Sequence, residues 1–340
     1  MTYDTERAAA VDAVRKACRL GQAVQERFIA GTELKKGDKS PVTVADYGAQ
    51  AIVSTLLHGA FPHDPLVGEE DAAALRDPAN AALKGSVISS VRAVLPDLDE
   101  TGILGAIDRG VHAGGPKGRF WALDPVDGTK GFLRMEQYAV ALALIEDGDV
   151  VLGVLGCPNL PHDLSGGLGA AGDLDRGEAG GRGSLFVAVR DEGASWRPLG
   201  DGTSRAAFVD RGSDPSAARL TESVESGHTA QDESAVVARM LGIERPPVRM
   251  DSQCKYAAVA RGDASIYLRL PTRKDYVERI WDHAAGWRIV TEAGGKVTDV
   301  HGKPLDFGRG RGLEANAGVV VTNGVLHDRV LECVKTVLTG

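Results

Sequence analysis

Apolar side chains recur at helical spacing near the start of the chain. They are Val11, Val14, Cys18, Val24 and Phe28. This stripe predicts an amphipathic helix over residues 6–30, because side chains three or four positions apart share one face of a helix. The element begins the chain with a surface that needs a partner to cover it.

The following segments alternate between polar turns and short apolar runs. The pattern predicts a polar turn over residues 35–39, a short strand over 42–44 and a helix over 46–58. Residues 71–115 lack clear periodicity apart from a weak helical patch at 103–107. We interpret that region as a surface insertion.

The middle of the chain reads as a sheet. Its predicted strands cover residues 120–123, 138–145, 150–157 and 184–189. Asp147-Gly148 separates the second and third of these apolar runs, and an Asp-Gly pair in that place favours a hairpin. The glycine-rich stretch 165–183 predicts a loop.

Beyond about residue 200, short strands alternate with helices. The predicted strands are 207–209, 266–268, 296–298 and 319–321. The predicted helices are 232–242, 252–261, 282–293 and 325–338. This alternation favours an α/β layer, and the whole chain is expected to be of mixed α+β or α/β class. We predict two sub-domains, 1–200 and 201–340.

Composition supports a folded protein and does not exclude a small anionic substrate. Of the 340 residues, 43% are hydrophobic, which is enough for a sizeable core. The net charge is −8, with no long block of either sign. A nucleic-acid binder would carry a clustered basic face, so that class is not expected. A small anionic substrate remains compatible, since bound cations can supply positive charge.

The cysteine positions and the N-terminal residues bear on the expected cellular location and on the kinds of site to expect. The four cysteines are far apart in the chain: Cys18, Cys157, Cys254 and Cys333. They form no CxxC pair, so neither a zinc site nor a disulfide framework is expected. Asp4, Glu6 and Arg7 argue against a signal peptide, and no apolar stretch reaches the roughly 20 residues of a membrane helix. We expect a cytoplasmic monomer that contacts neither membrane nor nucleic acid.

Carboxylates recur at predicted turns. They are Asp46, Glu69 with Glu70, Asp124 with Asp127, and Asp282. Each has an ordinary alternative: Asp46 and Asp282 suit helix N-caps, and Glu69-Glu70 suits a solvated surface pair. Asp124 to Gly128 suits a plain turn. Taken together, they suit magnesium, which prefers hard oxygen ligands, and a two-metal site with ions about 3.5–4 Å apart.

Four segments carry a family resemblance. In chain order they are SPVTVAD, VGEE, FWALDPVDGTKGF and WDHAAG. They resemble the inositol monophosphatase superfamily of magnesium-dependent, lithium-sensitive phosphatases. GRFW, VESGH, DSQCKY and YLRLP are further similar to the 3′(2′),5′-bisphosphate nucleotidases, which remove the 3′-phosphate of adenosine 3′,5′-bisphosphate (PAP). The likeness spans about residues 8–335 and implies a layered αβαβα sandwich.

The resemblance implies a role for each matching position, with two or three Mg²⁺ ions bound. The first ion is implied at Glu69, Asp124 and the Val126 carbonyl, the second at Asp124, Asp127 and Asp282, and a third, looser one at Glu69. Asp46 and Thr129 match the pair that activates the attacking water, and Thr129 also meets substrate. The nucleotide-binding matches are His228, Ser252, Lys255 and Arg269. Glu70 and Gly128 adjoin these positions as additional candidates.

Several alternatives stay open at this point. Thr129 also suits a helix N-cap, and Lys255 and Arg269 also suit solvent-exposed positions. The substrate is PAP, 3′-phosphoadenosine 5′-phosphosulfate (PAPS) or an inositol phosphate such as inositol 1,4-bisphosphate. A protein of another class, a PAP sensor without turnover, is the remaining alternative. Lithium inhibition is expected from the resemblance alone.

Overall fold

The computed structural model describes residues 2–29, 40–161, 183–225, 229–273 and 275–339. The helices are α1 (Asp4–Ile29), α2 (Ser40–Ala60), α3 (Ala73–Arg76), α4 (Ala81–Arg92), α5 (Glu100–Asp108), α6 (Thr129–Leu133), α7 (Gln231–Met240), α8 (Cys254–Ala260), α9 (Ala284–Glu292) and α10 (His327–Thr339). Short 3₁₀ helices cover Pro78–Asn80, Pro215–Ala217 and Ile280–Asp282.

The strands form two sheets. They are β1 (Leu66–Gly68), β2 (Arg119–Asp127), β3 (Ala139–Glu146), β4 (Asp149–Cys157), β5 (Ser184–Val189), β6 (Gly193–Pro198), β7 (Arg205–Ala207), β8 (Leu220–Glu222), β9 (Val248–Arg249), β10 (Ile266–Arg269), β11 (Lys296–Thr298) and β12 (Val319–Thr322). The first sheet keeps chain order, β1 to β7, and only its β1–β2 pair is parallel. The second has the order β11-β12-β10-β8-β9.

Alternating side chains sort the elements into five layers. On β2, Trp121 and Leu123 face a core shared with α1 and α2, whereas Phe120 and Ala122 face a core shared with α8 and α9. The second sheet packs on α8 and α9 through residues such as Tyr267. Its other face packs on α7 and α10. The predicted αβαβα sandwich is therefore confirmed. The sub-domain boundary at residue 200 stays a prediction.

The strand predicted over 42–44 is wrong, because α2 already begins at Ser40. Val42, Val44 and Ala45 are buried in one core with Leu20 of α1. Two valines separated by one residue match strand alternation as well as a wide helix face, so the local pattern misleads. Asp46 consequently lies inside a helix rather than after a strand or at an N-cap. The turn predicted over 35–39 lies outside the described residues.

The region 71–115 is also not a surface insertion. It forms α3, α4 and α5, whose Leu75, Val87, Val91 and Ile103 are fully buried against α2. Each helix buries only a few side chains, so no single one shows a long periodic pattern. The helical patch predicted at 103–107 is confirmed as part of α5.

Most other predicted elements are present. The hairpin of β3 and β4 is confirmed: Asp147 and Gly148 have φ of 49° and 82°, the left-handed pair that a tight primed turn requires. Strands β1, β6, β8 and β9 were not predicted; β1, β8 and β9 have two or three residues each, and β6 (GASWRP) lacks a run of apolar residues. The loop predicted over 165–183 lies almost wholly outside the described residues. Within the described part of the chain, no helix is long and apolar enough to cross a membrane.

Candidate metal and phosphate site

A bulge in β2 brings two carboxylates to one face of the first sheet. Asp124 pairs with Ala141 and Asp127 with Ala139, so two residues of β2 lie opposite the single Val140 of β3. Residues three apart on a regular strand point to opposite faces. The extra residue of the bulge cancels this alternation, and both carboxylates face the layer of α8 and α9. The predicted turn is thus an irregular strand end.

Parallel pairing places Glu69 beside Asp124. Gly68, the last residue of β1, pairs with Leu123 of β2, and the next residue of each strand is acidic. Since the two strands run in the same direction, Glu69 and Asp124 leave the sheet at the same edge. The acidic segments of Glu69 and of Asp124 therefore meet through backbone register alone.

Gln50 attaches the same loop to α2. Its Oε1 accepts a hydrogen bond from the Glu70 amide at 3.0 Å, and its Nε2 donates to the carbonyls of Glu70 and Ile107. A Cβ on Gly68 would lie 2.6 Å from Oε1, so only glycine leaves room for this clamp. Asp46 precedes Gln50 by one helical turn and consequently faces the same loop.

The second half of the chain meets the site through Asp127 and Asp282. The Gln253 amide donates to Asp127 Oδ2 at 2.6 Å. The Gln253 side chain donates to the Trp281 carbonyl at 2.8 Å and accepts from the Gly286 amide at 3.0 Å. Because Trp281 adjoins Asp282, one buried glutamine connects the segments that carry both carboxylates.

The pKa values show how densely negative charge is packed. Burial, together with repulsion from Glu70 and Glu69, raises the pKa of Asp46 well above its usual range. Burial raises the pKa of Asp124 likewise, with repulsion from Glu69 and Asp127 adding to the shift. Partial burial of its carboxylate and repulsion from Glu70 raise the pKa of Glu69 to about 7, although its side chain retains solvent exposure.

The pKa of Asp282 is raised as well, but nearby positive charges oppose the rise. Burial raises its pKa to about 7, and repulsion from Asp127 and Glu278 acts in the same direction. The charges of Arg269 and His283 oppose the rise without cancelling it. Carboxylates held together in this way are stable in their ionised form only when cations compensate them.

One atom tests whether these residues suit a metal. Asp124 is 3% exposed, and its Oδ1 has no hydrogen-bond partner among the described residues. Buried carboxylate oxygens are normally paired, so an unpartnered one in an all-oxygen donor set fits a hard divalent cation. The residues present therefore fit magnesium.

The carboxylates proposed as ligands lie at one edge of the first sheet, but among the described residues their oxygens do not form a group of three within 4.8 Å of one another. Among the described residues, the group of three possible ligand atoms within 4.8 Å of one another is Glu278, Asp282 and His283. Glu278 is already engaged: Arg269 lies 2.9 and 2.7 Å from its two oxygens, and His283 Nε2 lies 3.1 Å from Oε2. This trio is an ion-pair network behind Asp282 rather than a second metal centre.

Thr129 follows directly on the acidic strand end. Gly128 adopts the left-handed conformation, with φ of 88°, and caps α6, so Thr129 is the first helical residue and not the N-cap itself. A Cβ on Gly128 would also lie 2.9 Å from Ser252 Cβ. Thr129 is exposed, and no hydrogen bond joins it to Asp46 in the described part of the chain.

Lys255 is not on an exposed face. It is 2% exposed, its Nζ donates to the Met250 carbonyl at 3.1 Å, and it lies 5.2 Å from the Tyr267 ring centre. Burial lowers its pKa to about 8, although Asp127 and Asp251 favour the charged form. Burial makes the charged ammonium unfavourable, and the nearby carboxylates offset only part of that cost, so a bound anion would stabilise it further.

Arg269 is also largely buried, and its charge is paired with a carboxylate of the protein, that of Glu278. It forms the bidentate pair with Glu278, and its Nη2 lies 3.6 Å from Asp282 Oδ2. Burial alone would raise the pKa of Glu278, yet the Arg269 charge and the His283 hydrogen bond lower it to about 2. Ser252 has φ of 66°, a strained conformation typical of functional loops. His228 lies outside the described residues.

Comparison with known proteins decides the family. The model of the inositol monophosphatase family matches residues 3–338. The chain belongs to this family. It is 47% identical over 353 residues to the 3′(2′),5′-bisphosphate nucleotidase of Emericella nidulans, covering 99% of both chains. It is 45% identical to that of Oryza sativa, covering 98% of this chain and 94% of that one.

The fold agrees with solved members of the inositol monophosphatase family. The inositol monophosphatase from Anabaena (Nostoc) superposes with a TM-score of 0.60 at 20% identity, covering 99% of this chain and 97% of that one. Metal dependence is general in the family, and the acidic edge of the first sheet fits it. Sequence identity of 20% supports a shared fold only.

Two residues of the site could not be recognised from sequence. Gln50 acts through contacts with a loop twenty positions later, and Glu278 through an arginine nine positions earlier. Gln253 belongs to the segment DSQCKY, in which Ser252 and Lys255, but not Gln253, were predicted to bind the nucleotide. Its only sequence signal was its place between those two residues.

Proposed function

We propose that the chain is a magnesium-dependent 3′(2′),5′-bisphosphate nucleotidase that hydrolyses the 3′-phosphate of PAP to give AMP and inorganic phosphate. The observation that carries the proposal is the identity of 43–47% with proteins of that name over nearly the full chain. The acidic edge supports it, because every carboxylate expected to bind a cation is present. PAPS is proposed as a further substrate.

The proposed ligand sets use the bulge directly. Glu69, Asp124 and the Val126 carbonyl would hold a first cation, and Asp124, Asp127 and Asp282 a second, with Glu69 reaching a third. Bound divalent cations acidify water and neutralise phosphate oxygens. Asp124 belongs to both sets because it lies between Glu69 of the parallel neighbour and Asp127 beyond the bulge.

The nucleophilic water would be oriented by the chain itself. We assign this to the Thr129 hydroxyl, which is exposed at the start of α6, with Asp46 as the base behind it. The raised pKa of Asp46 makes its carboxylate a stronger base than an ordinary aspartate. Asp46 stands on α2 and Thr129 on α6, two helices in contact with each other.

The second phosphate and the nucleoside would be held by the C-terminal half. Lys255 supplies a buried positive charge near Asp127, and Ser252, which packs beside Gly128, would contribute its hydroxyl. Arg269 and His228 complete the proposed set. Arg269 acts on the phosphate while anchored by Glu278. Lithium inhibition, a cytoplasmic location and a monomeric state belong to the proposal as expectations.

A panel of substrates tests the assignment. Phosphate release is measured for PAP, PAPS, inositol 1-phosphate and inositol 1,4-bisphosphate, each with Mg²⁺ and each with a chelator. We expect PAP to have the highest kcat/KM and the chelator to abolish release. A dominant rate on an inositol phosphate would refute the nucleotidase assignment. Tight PAP binding without release would indicate a sensor.

Replacing Lys255 by methionine tests the phosphate site separately. Methionine is unbranched and only one heavy atom shorter than lysine but uncharged, so kcat/KM for PAP is expected to fall about 100-fold, the scale of a charge-assisted contact. Inositol 1-phosphate lacks a second phosphate, and its rate should change far less. Lys84→Met, which removes a surface pair with Glu100, is the control. Equal losses on both substrates would argue against the assigned role.

A further inference from the structure

Arg311 binds three backbone carbonyls of the first half of the chain. It lies in the loop between β11 and β12. Its Nη1 donates to the carbonyls of Gly110 and His112, each at 3.0 Å, and its Nη2 donates to that of Gly68. Gly68 directly precedes Glu69, and Gly110 lies just beyond α5. The guanidinium therefore closes the edge of the sheet where Glu69 emerges.

The backbone around Arg311 belongs to the other half of the site. Its carbonyl accepts from the Ile280 amide at 3.1 Å, and the Leu313 amide donates to the Glu278 carbonyl at 2.8 Å. Arg279 and Gly312 form the bridge between these bonds. The loop thus pairs with the segment that leads directly into Asp282.

Trp281 fixes the side chain between the two halves. The guanidinium of Arg311 lies 4.8 Å from the centre of the Trp281 ring, within the range of a cation–π contact. The Arg311 charge also acts on Glu69. One side chain therefore touches the backbone before Glu69 and the ring before Asp282, the two carboxylates that come from opposite ends of the chain.

We propose that Arg311 is a positioning residue that holds the Glu69 segment and the Asp282 segment at a fixed separation, so that both sets of cation ligands are aligned before metal binds. This inference rests on the proposed metal site. A planar guanidinium suits the role because its fork reaches several acceptors at once. A lysine ammonium keeps the charge but cannot reach all three carbonyls while lying on the tryptophan ring.

The test measures metal binding without substrate. Mn²⁺ is titrated into the full-length wild-type protein, Arg311→Lys and Arg311→Met, and free Mn²⁺ is followed by electron paramagnetic resonance. We expect Kd for Mn²⁺ to rise about 10–100-fold in both variants, the usual cost of losing an outer-shell partner of a metal ligand. Arg309→Lys is the matched control, because Arg309 lies in the same loop and pairs with Asp306 at the surface.

A second measurement separates positioning from folding. Circular dichroism in chelator gives the folded fraction, and Kd is expressed per folded molecule. At saturating Mg²⁺, kcat of Arg311→Lys should return to within about 3-fold of wild type, since excess metal compensates a weakened site. Wild-type Mn²⁺ affinity in the folded fraction of Arg311→Lys would overturn the proposal and leave Arg311 a purely structural clamp.

The Mn²⁺ titration contains no substrate, so failure of the positioning role can be distinguished from failure of the nucleotidase assignment. A protein that binds Mn²⁺ with an Arg311-dependent affinity but releases no phosphate from PAP would refute the nucleotidase assignment and leave the positioning role intact. If Mn²⁺ affinity is unchanged in the Arg311 variants while the wild type hydrolyses PAP, the positioning role is refuted and the nucleotidase assignment stands.

Discussion

Asp124→Asn is expected to abolish phosphate release while stabilising the metal-free protein. Asp124 is the carboxylate common to both proposed cation sets, so its loss should reduce kcat about 1,000-fold or more. In the absence of metal the same carboxylate is unfavourable: burial, and then repulsion from Glu69 and Asp127, raises its pKa. Asparagine keeps the shape and removes that repulsion.

Two measurements on one variant check this prediction. Phosphate release is followed at saturating Mg²⁺, and Tm is measured in chelator at about pH 8, where the wild-type carboxylates are most ionised. We expect Tm of Asp124→Asn to exceed that of the wild type by about 2 °C or more, and added Mg²⁺ to raise it much less. Asp328→Asn, at an exposed surface pair, should change neither quantity. An active variant, or one destabilised in chelator, would contradict the proposed role.

The metal-free protein is expected to lose stability as pH rises from about 4 to about 7. The pKa of Glu69 rises from 4.5 to about 7 on folding, and that of Asp282 from 3.8 to about 7. Across this interval the folded state binds more protons than the unfolded state, so raising the pH favours unfolding. The stabilising contribution is complete below the unfolded pKa and is lost by the time pH passes the folded pKa.

Bound Mg²⁺ should reverse this dependence, because cations favour the ionised carboxylates and compete with protons. Tm is measured from about pH 5 to about pH 8 with chelator and with Mg²⁺. We expect a falling curve in chelator and a Mg²⁺-induced rise in Tm that grows with pH. Glu69→Gln removes one titrating group, so its curve in chelator should be flatter. Parallel curves for the wild type and Glu69→Gln would argue against a raised pKa at that position.

Local patterns were sufficient for much of the fold. The stripe of α1 and the Asp-Gly turn of the β3–β4 hairpin depend on residues a few positions apart, and both predictions are confirmed. The helices that follow residue 230 were also predicted close to their observed bounds. Predictions failed where tertiary burial outweighed a short pattern, as at 42–44 inside α2 and at 71–115, whose helices each bury only a few side chains.

The amino-acid sequence by itself determined which acidic segments exist, their order and the family they resemble, because these are properties of short motifs. Only the tertiary structure decided how they meet. A single extra residue in β2 turns Asp127 to the face of Asp124, and parallel register brings Glu69 beside them. Gln253 and Arg311 act between segments more than a hundred residues apart. Register and such distant contacts depend on how whole layers pack, which no local pattern contains.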